Sequence, residues 1–138
     1  MIINETISLK TGGHGDIIDV TPQVEERLAQ SRLKDGIIIL FVAGSTAGIT
    51  TIEFEPNLAA DFKELWQRIA PEGVPYHHDN TWGDANGYAH VRASLLGASL
   101  VIPFSGGRLS LGTWQQVVLV DFDNRPRSRQ VVVQMMGE

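Results

Sequence analysis

The chain has no cysteine among its 138 residues. Disulfides, thiolate metal sites and a cysteine nucleophile are therefore excluded. It also has no basic run: 11 Lys and Arg stand against 16 Asp and Glu, for a formal charge of −5. That balance speaks against nucleic acid as the main partner. No apolar run approaches the roughly 18 residues of a membrane span, so no membrane partner is expected. Met1-Ile2-Ile3-Asn4-Glu5 lacks the basic and apolar regions of a signal peptide. A soluble, cytoplasmic protein is the expectation. No serine sits in a nucleophile elbow and no G-x-G-x-x-G precedes a helix, so a hydrolase triad and a dinucleotide fold have no support. Linkers, repeats and low-complexity segments are absent, and residues 1–138 read as a single domain.

Ile2 to Leu9 roughly alternates and predicts a strand, and Asp16 to Val20 a second, short one. Thr21-Pro22 predicts a helix start with threonine as the cap. Val24 and Leu28 form its apolar stripe, and Gly36 ends it. Ile37 to Val42 is almost wholly apolar, the pattern of a strand buried on both faces. Ile49 to Phe54 predicts another strand. From Pro56-Asn57 a helix places Leu58, Phe62, Leu65, Trp66 and Ile69 on one face. Pro75 to Gly87 reads as a long loop and Ala89 to Leu96 as a short helix. Leu100 to Phe104 and Arg108 to Leu111 flank Ser105-Gly106-Gly107, a hairpin signal. Trp114 to Phe122 and Ser128 to Met135 are expected to form a last hairpin. The count favours an α+β fold with a strand-rich, sandwich-like core and two or three helices.

Chemistry concentrates between Tyr76 and Gln115, which holds three of the four histidines and two of the three tryptophans. His78 and His90, with Asp79 or Asp84 nearby, have the ligand types of a divalent metal site with open positions. On spacing alone, surface or hydrogen-bonded histidines are the simpler reading. Gly44-Ser45-Thr46-Ala47-Gly48 can cradle an anion with N–H and hydroxyl groups, or simply join two strands. Glu53 and Glu55 share a strand face, and so do Thr113 and Gln115. The glutamates suit a pocket or the wet side of a sheet, and Thr113 and Gln115 can line a site reached from the histidine loop. Asn86 and Arg108 can each bind an anion or fix a turn. Trp66 reads as core, Trp114 as core or subunit contact, and Trp82 as an exposed lid. Arg125, Arg127 and Arg129 alternate like the solvent side of a strand.

Two runs carry a resemblance. One is Tyr76-x-His78-Asp79 with Gly83-Asp84-x-Asn86-Gly87-x-Ala89-His90-x-x-Ala93-Ser94-Leu95-Leu96-Gly97. The other is Gly107-Arg108-Leu109-x-Leu111-Gly112-Thr113-Trp114-Gln115-Gln116. The chain resembles the YjbQ-like family over nearly its whole length. The resemblance implies an α+β sandwich-like domain, a homotrimer, and a polar cleft near the subunit boundary. It implies thiamine-phosphate synthase activity: a pyrimidine methyl diphosphate joined to a thiazole phosphate with release of pyrophosphate. His78, His90 and Arg108 would be catalytic. Ser45, Thr46, Glu53, Asn86, Thr113 and Gln115 would bind the phosphorylated small molecule. His78, His90 and Asp84 would hold a divalent metal, zinc or magnesium. Gly44 stands where one branch of the family carries a histidine. The alternatives are a small-molecule or metal-binding protein without turnover and a metal-dependent phosphate-ester hydrolase.

Overall fold

Two antiparallel sheets face each other in the computed structural model, which describes residues 1–138. The elements are β1 (Ile2–Thr11), β2 (Asp16–Asp19), α1 (Thr21–Ser31), β3 (Gly36–Val42), β4 (Ala47–Ile52) and α2 (Pro56–Ile69). A 3-10 turn (His77–Asn80) and α3 (Gly87–Leu96) follow, then β5 (Ser99–Ser105), β6 (Arg108–Leu109), β7 (Gln116–Asp121) and β8 (Arg127–Gly137). The larger sheet has the order β1-β8-β3-β5-β6 and the smaller β2-β7-β4. Three helices against eight strands make this the expected α+β architecture.

The main core lies between the sheets. Ile38, Leu40 and Val42 of β3 and Val131, Val133 and Met135 of β8 meet Ile49 of β4 and Val117 and Leu119 of β7. Val24 and Leu28 of α1 close one side, as their helical spacing predicts. A second core forms on the other face of the small sheet. There Val118, Val120 and Phe122 pack on Trp66 of α2 and Tyr88, Ala89 and Ala93 of α3. Trp66 meets Phe122 edge-on at 4.9 Å, an orientation that aligns ring edge with ring face. Layering therefore runs large sheet, small sheet, then α2 and α3. This stacking puts α3 over β4, where the candidate site is built.

Several sequence expectations change. The strand buried on both faces is β7, not β3. In β3, Ile38, Leu40 and Val42 are buried while Phe41 is exposed, because nothing within the chain covers the outer face of the large sheet. β7 and β8 do not form a hairpin: β7 pairs with β2 and β4, and β8 with β1 and β3. The chain crosses between sheets at Phe122–Pro126, held by Asp121 accepting from the Asp123 N–H and Asp123 from the Arg125 N–H. Thr21 does not cap α1: its hydroxyl accepts from the Val117 N–H at 2.7 Å, and Asp19 accepts from the Thr21 N–H. Strand β4 stops at Ile52, so Glu53 and Glu55 share no strand face; Glu55 caps α2 by accepting from the Asn57 and Leu58 N–H groups. Along α2 only Trp66 is fully buried. Trp114 is 72% exposed in a turn and belongs to neither core.

Candidate functional site

The 3-10 turn brings His78 to α3, and the two imidazole rings of His78 and His90 lie 4.6 Å apart between centroids. Gly87 allows this approach. A methyl group there would stand 2.7 Å from Cβ of Tyr76 and 3.0 Å from Cβ of His78, closer than carbon atoms pack. We expect Gly87→Ala to push the turn off α3 and to cost about 1–3 kcal/mol, read as a lower urea midpoint with His78 and His90 ring resonances moved apart. Asp84 places an oxygen 3.5 Å from His78 Nδ1. That is an ion-pair distance without hydrogen-bond alignment, since His78 Nδ1 is buried and has no hydrogen-bond partner. Ala85 beside it takes the left-handed conformation, φ 56°, which costs a non-glycine residue energy and is held by its surroundings.

Burial, and then the facing His78 ring, pull the His90 pKa below the ordinary histidine value, while Asp84 and Asp123 act the other way. His90 is therefore neutral at neutral pH and presents one ring N–H donor and one acceptor. The sign for stability follows. With a folded pKa below the unfolded one, the unfolded state binds more protons on acidification. Stability is present above the unfolded value and falls as pH drops below it toward the folded pKa. His90→Asn is expected to flatten this slope below about pH 6.5, the ordinary histidine value, measured by urea midpoints on either side of it.

His90 also lines a cleft of about 420 Å³ with Gly44, Ser45, Ser94, Gly97 and Ala98. The β3–β4 loop forms one wall and α3 the other. Gly48 lets them close: a methyl there would lie 2.8 Å from the Gly97 carbonyl oxygen and from Leu96 Cδ2. Ser45 and His90 thus meet at one cleft, and no carboxylate lines it.

Other expected site residues lie elsewhere or are engaged internally. Thr46 is buried; its hydroxyl donates to Asp123 at 2.8 Å and accepts from Arg129 Nη2. Asn86 is buried too, donating to Asp123 and accepting from the Asn124 N–H. Both therefore hold the Asp123 crossover rather than face the cleft. Arg108 lines a separate cavity with Glu25 and Leu28 on the β6 side. Gln115 is not on a strand; it accepts from the Gly112 N–H and donates to Thr51. Thr113 is exposed in the same turn, and Glu53 is exposed past the end of β4. Trp82 is 73% exposed beside the His78 turn. Tyr88 is buried against Arg92, 4.9 Å from ring to guanidinium. Burial, and then the Glu72 carboxylate, push its phenol pKa up.

Sequence reasoning missed the polar cluster beneath the loop. Arg129 is not on the solvent side. Its Nε and Nη2 donate to Asp121 at 2.7 and 2.9 Å. Arg127 reaches Asp123 at 3.1 Å. Burial alone would raise the Asp123 carboxyl, but hydrogen bonds from Thr46 and Asn86 and the Arg127 cation hold it below the ordinary aspartate range. The legible signal was Asp121-x-Asp123 followed by Arg127-x-Arg129: two acids and two bases at matching spacing on either side of a turn.

His78, His90 and Asp84 are near neighbours, yet no three His, Asp or Glu side chains are arranged as a ligand set for a metal ion. As they stand, these residues do not fit a tight preformed centre.

The fold and cleft define a small α+β sandwich protein with a histidine-lined polar site. A family model described as UPF0047 protein YjbQ-like matches residues 5–138, and the chain belongs to that family. A UPF0047 protein of Archaeoglobus fulgidus is 39% identical over 130 residues, covering 94% of this chain and 98% of that one. The UPF0047 protein YugU of Bacillus subtilis is 34% identical over 134 residues, covering 96% and 98%. Among solved structures, a YbjQ-like protein of unknown function from Sulfolobus solfataricus superposes with TM-score 0.93 at 33% identity, covering 100% of this chain and 99% of that one. No helix is long and apolar enough to cross a membrane.

Proposed function

We propose that the protein is a cytoplasmic transferase that binds a phosphorylated small molecule in the Ser45–His90 cleft. The reaction joins a pyrimidine methyl diphosphate to a thiazole phosphate. The bond between the methylene carbon and the diphosphate oxygen breaks, and pyrophosphate leaves with the electron pair. The thiazole nitrogen forms the new C–N bond and becomes cationic. The observation that carries the reading is the His78–His90 pair, half-buried, 4.6 Å apart, with His90 opening on an acid-free cleft. The neutral His90 ring N–H and the Ser45 and Ser94 hydroxyls are donors for charge developing on the leaving group. Trp82 supplies an apolar wall to orient the rings.

A divalent metal belongs to this proposal, either magnesium carried on the diphosphate or zinc taken up by His78, His90 and Asp84 once their side chains rearrange from the positions described above. Elemental analysis of the untagged protein separates them: near one zinc per chain favours the second.

The proposed assembly is a homotrimer. Supporting it, Phe41, Val101 and Val132 stay exposed on adjacent strands of the large sheet, a large apolar face for an isolated chain. In that assembly Arg108, Thr113 and Gln115 serve the cleft of a neighbouring copy. Light scattering should return three chain masses.

The function itself is tested by incubating the two substrates with protein and following thiamine phosphate by mass spectrometry. Product above the protein-free control is the expected result; its absence with and without magnesium contradicts the reading. A binding protein without turnover is the second reading. It is favoured by one observation, the separation of Arg108 from the cleft within one chain. It predicts raised melting temperatures with either substrate and no product.

A further inference from the structure

The outer face of the large sheet carries a single charge along four of its strands. On β1, β8, β3 and β5, alternation turns apolar or neutral polar side chains outward, and Lys10 is the one exception. Lys10 takes part in no ion pair.

Its neighbours follow from the β1–β8 register. Lys10 stands opposite Ser128, and Ser8 opposite Gln130. All four are exposed. Farther along the same face Gln134 Nε2 donates to Asn4 Oδ1 at 2.9 Å, whereas the Ser8, Lys10, Ser128 and Gln130 side chains have no such partner within the chain. Strand β3 leaves the sheet after Val42, the last residue it pairs with β8. Just beyond, at Ala43, a cavity of about 620 Å³ opens, lined by those four residues and bordered by Arg129. The Arg129 guanidinium is taken up by Asp121 and Thr46, so Lys10 is the free cation of the cavity.

We infer that this cavity is a second anion site whose ligand is phosphate, either the free ion or the phosphate group of a small monoester. It shares no lining residue with the Ser45–His90 cleft, so the inference does not rest on the transferase reading.

Three physical arguments carry it. First, no carboxylate lines the cavity to compete for the Lys10 ammonium or to repel an anion. The chain as a whole has a formal charge of −5 and does not draw anions, so recognition comes from this local arrangement. Second, the donors are numerous and spread. An ammonium offers three N–H groups, a glutamine amide two and each serine hydroxyl one. Directly opposed side chains start about 5 Å apart, and positions two residues on along a strand about 7 Å apart. Such an array meets a tetrahedral anion with oxygens on every side better than a flat carboxylate with two. Third, the departure of β3 makes the surface concave. A ligand is walled at Ala43 instead of lying on an open sheet.

The test uses the full chain, with inorganic phosphate as first probe and glycerol phosphate as second. Backbone ¹H–¹⁵N spectra follow Ser8, Lys10, Ser128 and Gln130 during titration, with sodium chloride at equal ionic strength as the control for screening. Phosphate is expected to shift these four amides and to saturate, and sodium chloride to leave them in place. Lys10→Ala is expected to weaken binding about tenfold through loss of a charge-assisted bond, and Ser128→Ala about threefold. Lys10→Arg should keep most of the affinity. Both positions are exposed, so melting temperatures should hold. Tighter binding of glycerol phosphate than of phosphate assigns the site to monoesters, and weaker binding assigns it to the free ion. Shifts that do not saturate, or equal binding by wild type and Lys10→Ala, overturn the inference. So does a changed mass of the assembly in Lys10→Ala by light scattering, which would make the array a subunit contact. Phosphate that moves only the His90 ring and the Ser45 amide has entered the cleft instead; this inference then fails and the cleft reading stands.

Discussion

Replacing Asp121 by alanine is expected to lower stability by about 3–5 kcal/mol, the scale for breaking a buried ion pair by removing one partner. Asp121 is fully buried. It accepts from Arg129 Nε and Nη2, from the Thr11 hydroxyl and from the Asp123 N–H. Its loss leaves Arg129 Nε without an acceptor and the Thr11 hydroxyl with only the Arg127 carbonyl at 3.4 Å, and it frees the crossover that carries the chain from the small sheet to the large one. Urea unfolding measures the effect. Arg129→Ala should cost a similar amount, and the double variant clearly less than the sum, because the two share one network. A loss under about 1 kcal/mol, the range of exposed pairs, would mean that the cluster is not buried as described.

His90→Asn carries the largest expected effect on activity. Asparagine keeps a polar group of moderate size at the mouth of the cleft but removes the imidazole. Turnover in the thiamine-phosphate assay is expected to fall by about a hundredfold or more, the scale for a group that exchanges or donates a proton at the reacting centre. The melting temperature at neutral pH should hold, since His90 is only half-buried and belongs to neither core. A fall in kcat with little change in KM identifies an interaction made in the transition state; a change confined to KM identifies a binding residue. Unchanged kcat and KM would remove His90 from the site.

Strand and helix existence was largely legible because each rested on local signals. Pro56 fixed the start of α2, Gly106 and Gly107 turned the β5–β6 hairpin with φ 58° and 76°, and alternation marked β1. Layering was not legible in the same way. Ile37–Val42 and Val117–Val120 are both apolar runs, and only tertiary stacking decides that helices cover the second face of β7 and nothing in the chain covers that of β3. The expected β7–β8 hairpin failed for a related reason: a short polar link is compatible with a turn or with a change of sheet, and the buried Asp121 and Asp123 carboxylates select the latter. At the site, the glycines around His78 and His90 gave a local reason for close approach, and the pair does meet. Arg129 was read outward because alternation assigns faces only relative to one another; its partner eight residues upstream decides which face is inside. Thr46 and Asn86 have side chains suited to a ligand, yet the crossover occupies them.

The measurement that bears most directly on the central claim is a ¹H–¹⁵N correlation spectrum of the four histidine rings during titration with a pyrimidine methyl diphosphate. His14 and His77 are exposed and lie outside the cleft, so they serve as controls within the same molecule. The account predicts that His90 and His78 shift together and saturate while His14 and His77 stay in place. Binding that leaves His78 and His90 unmoved, or no binding at millimolar ligand, would contradict it.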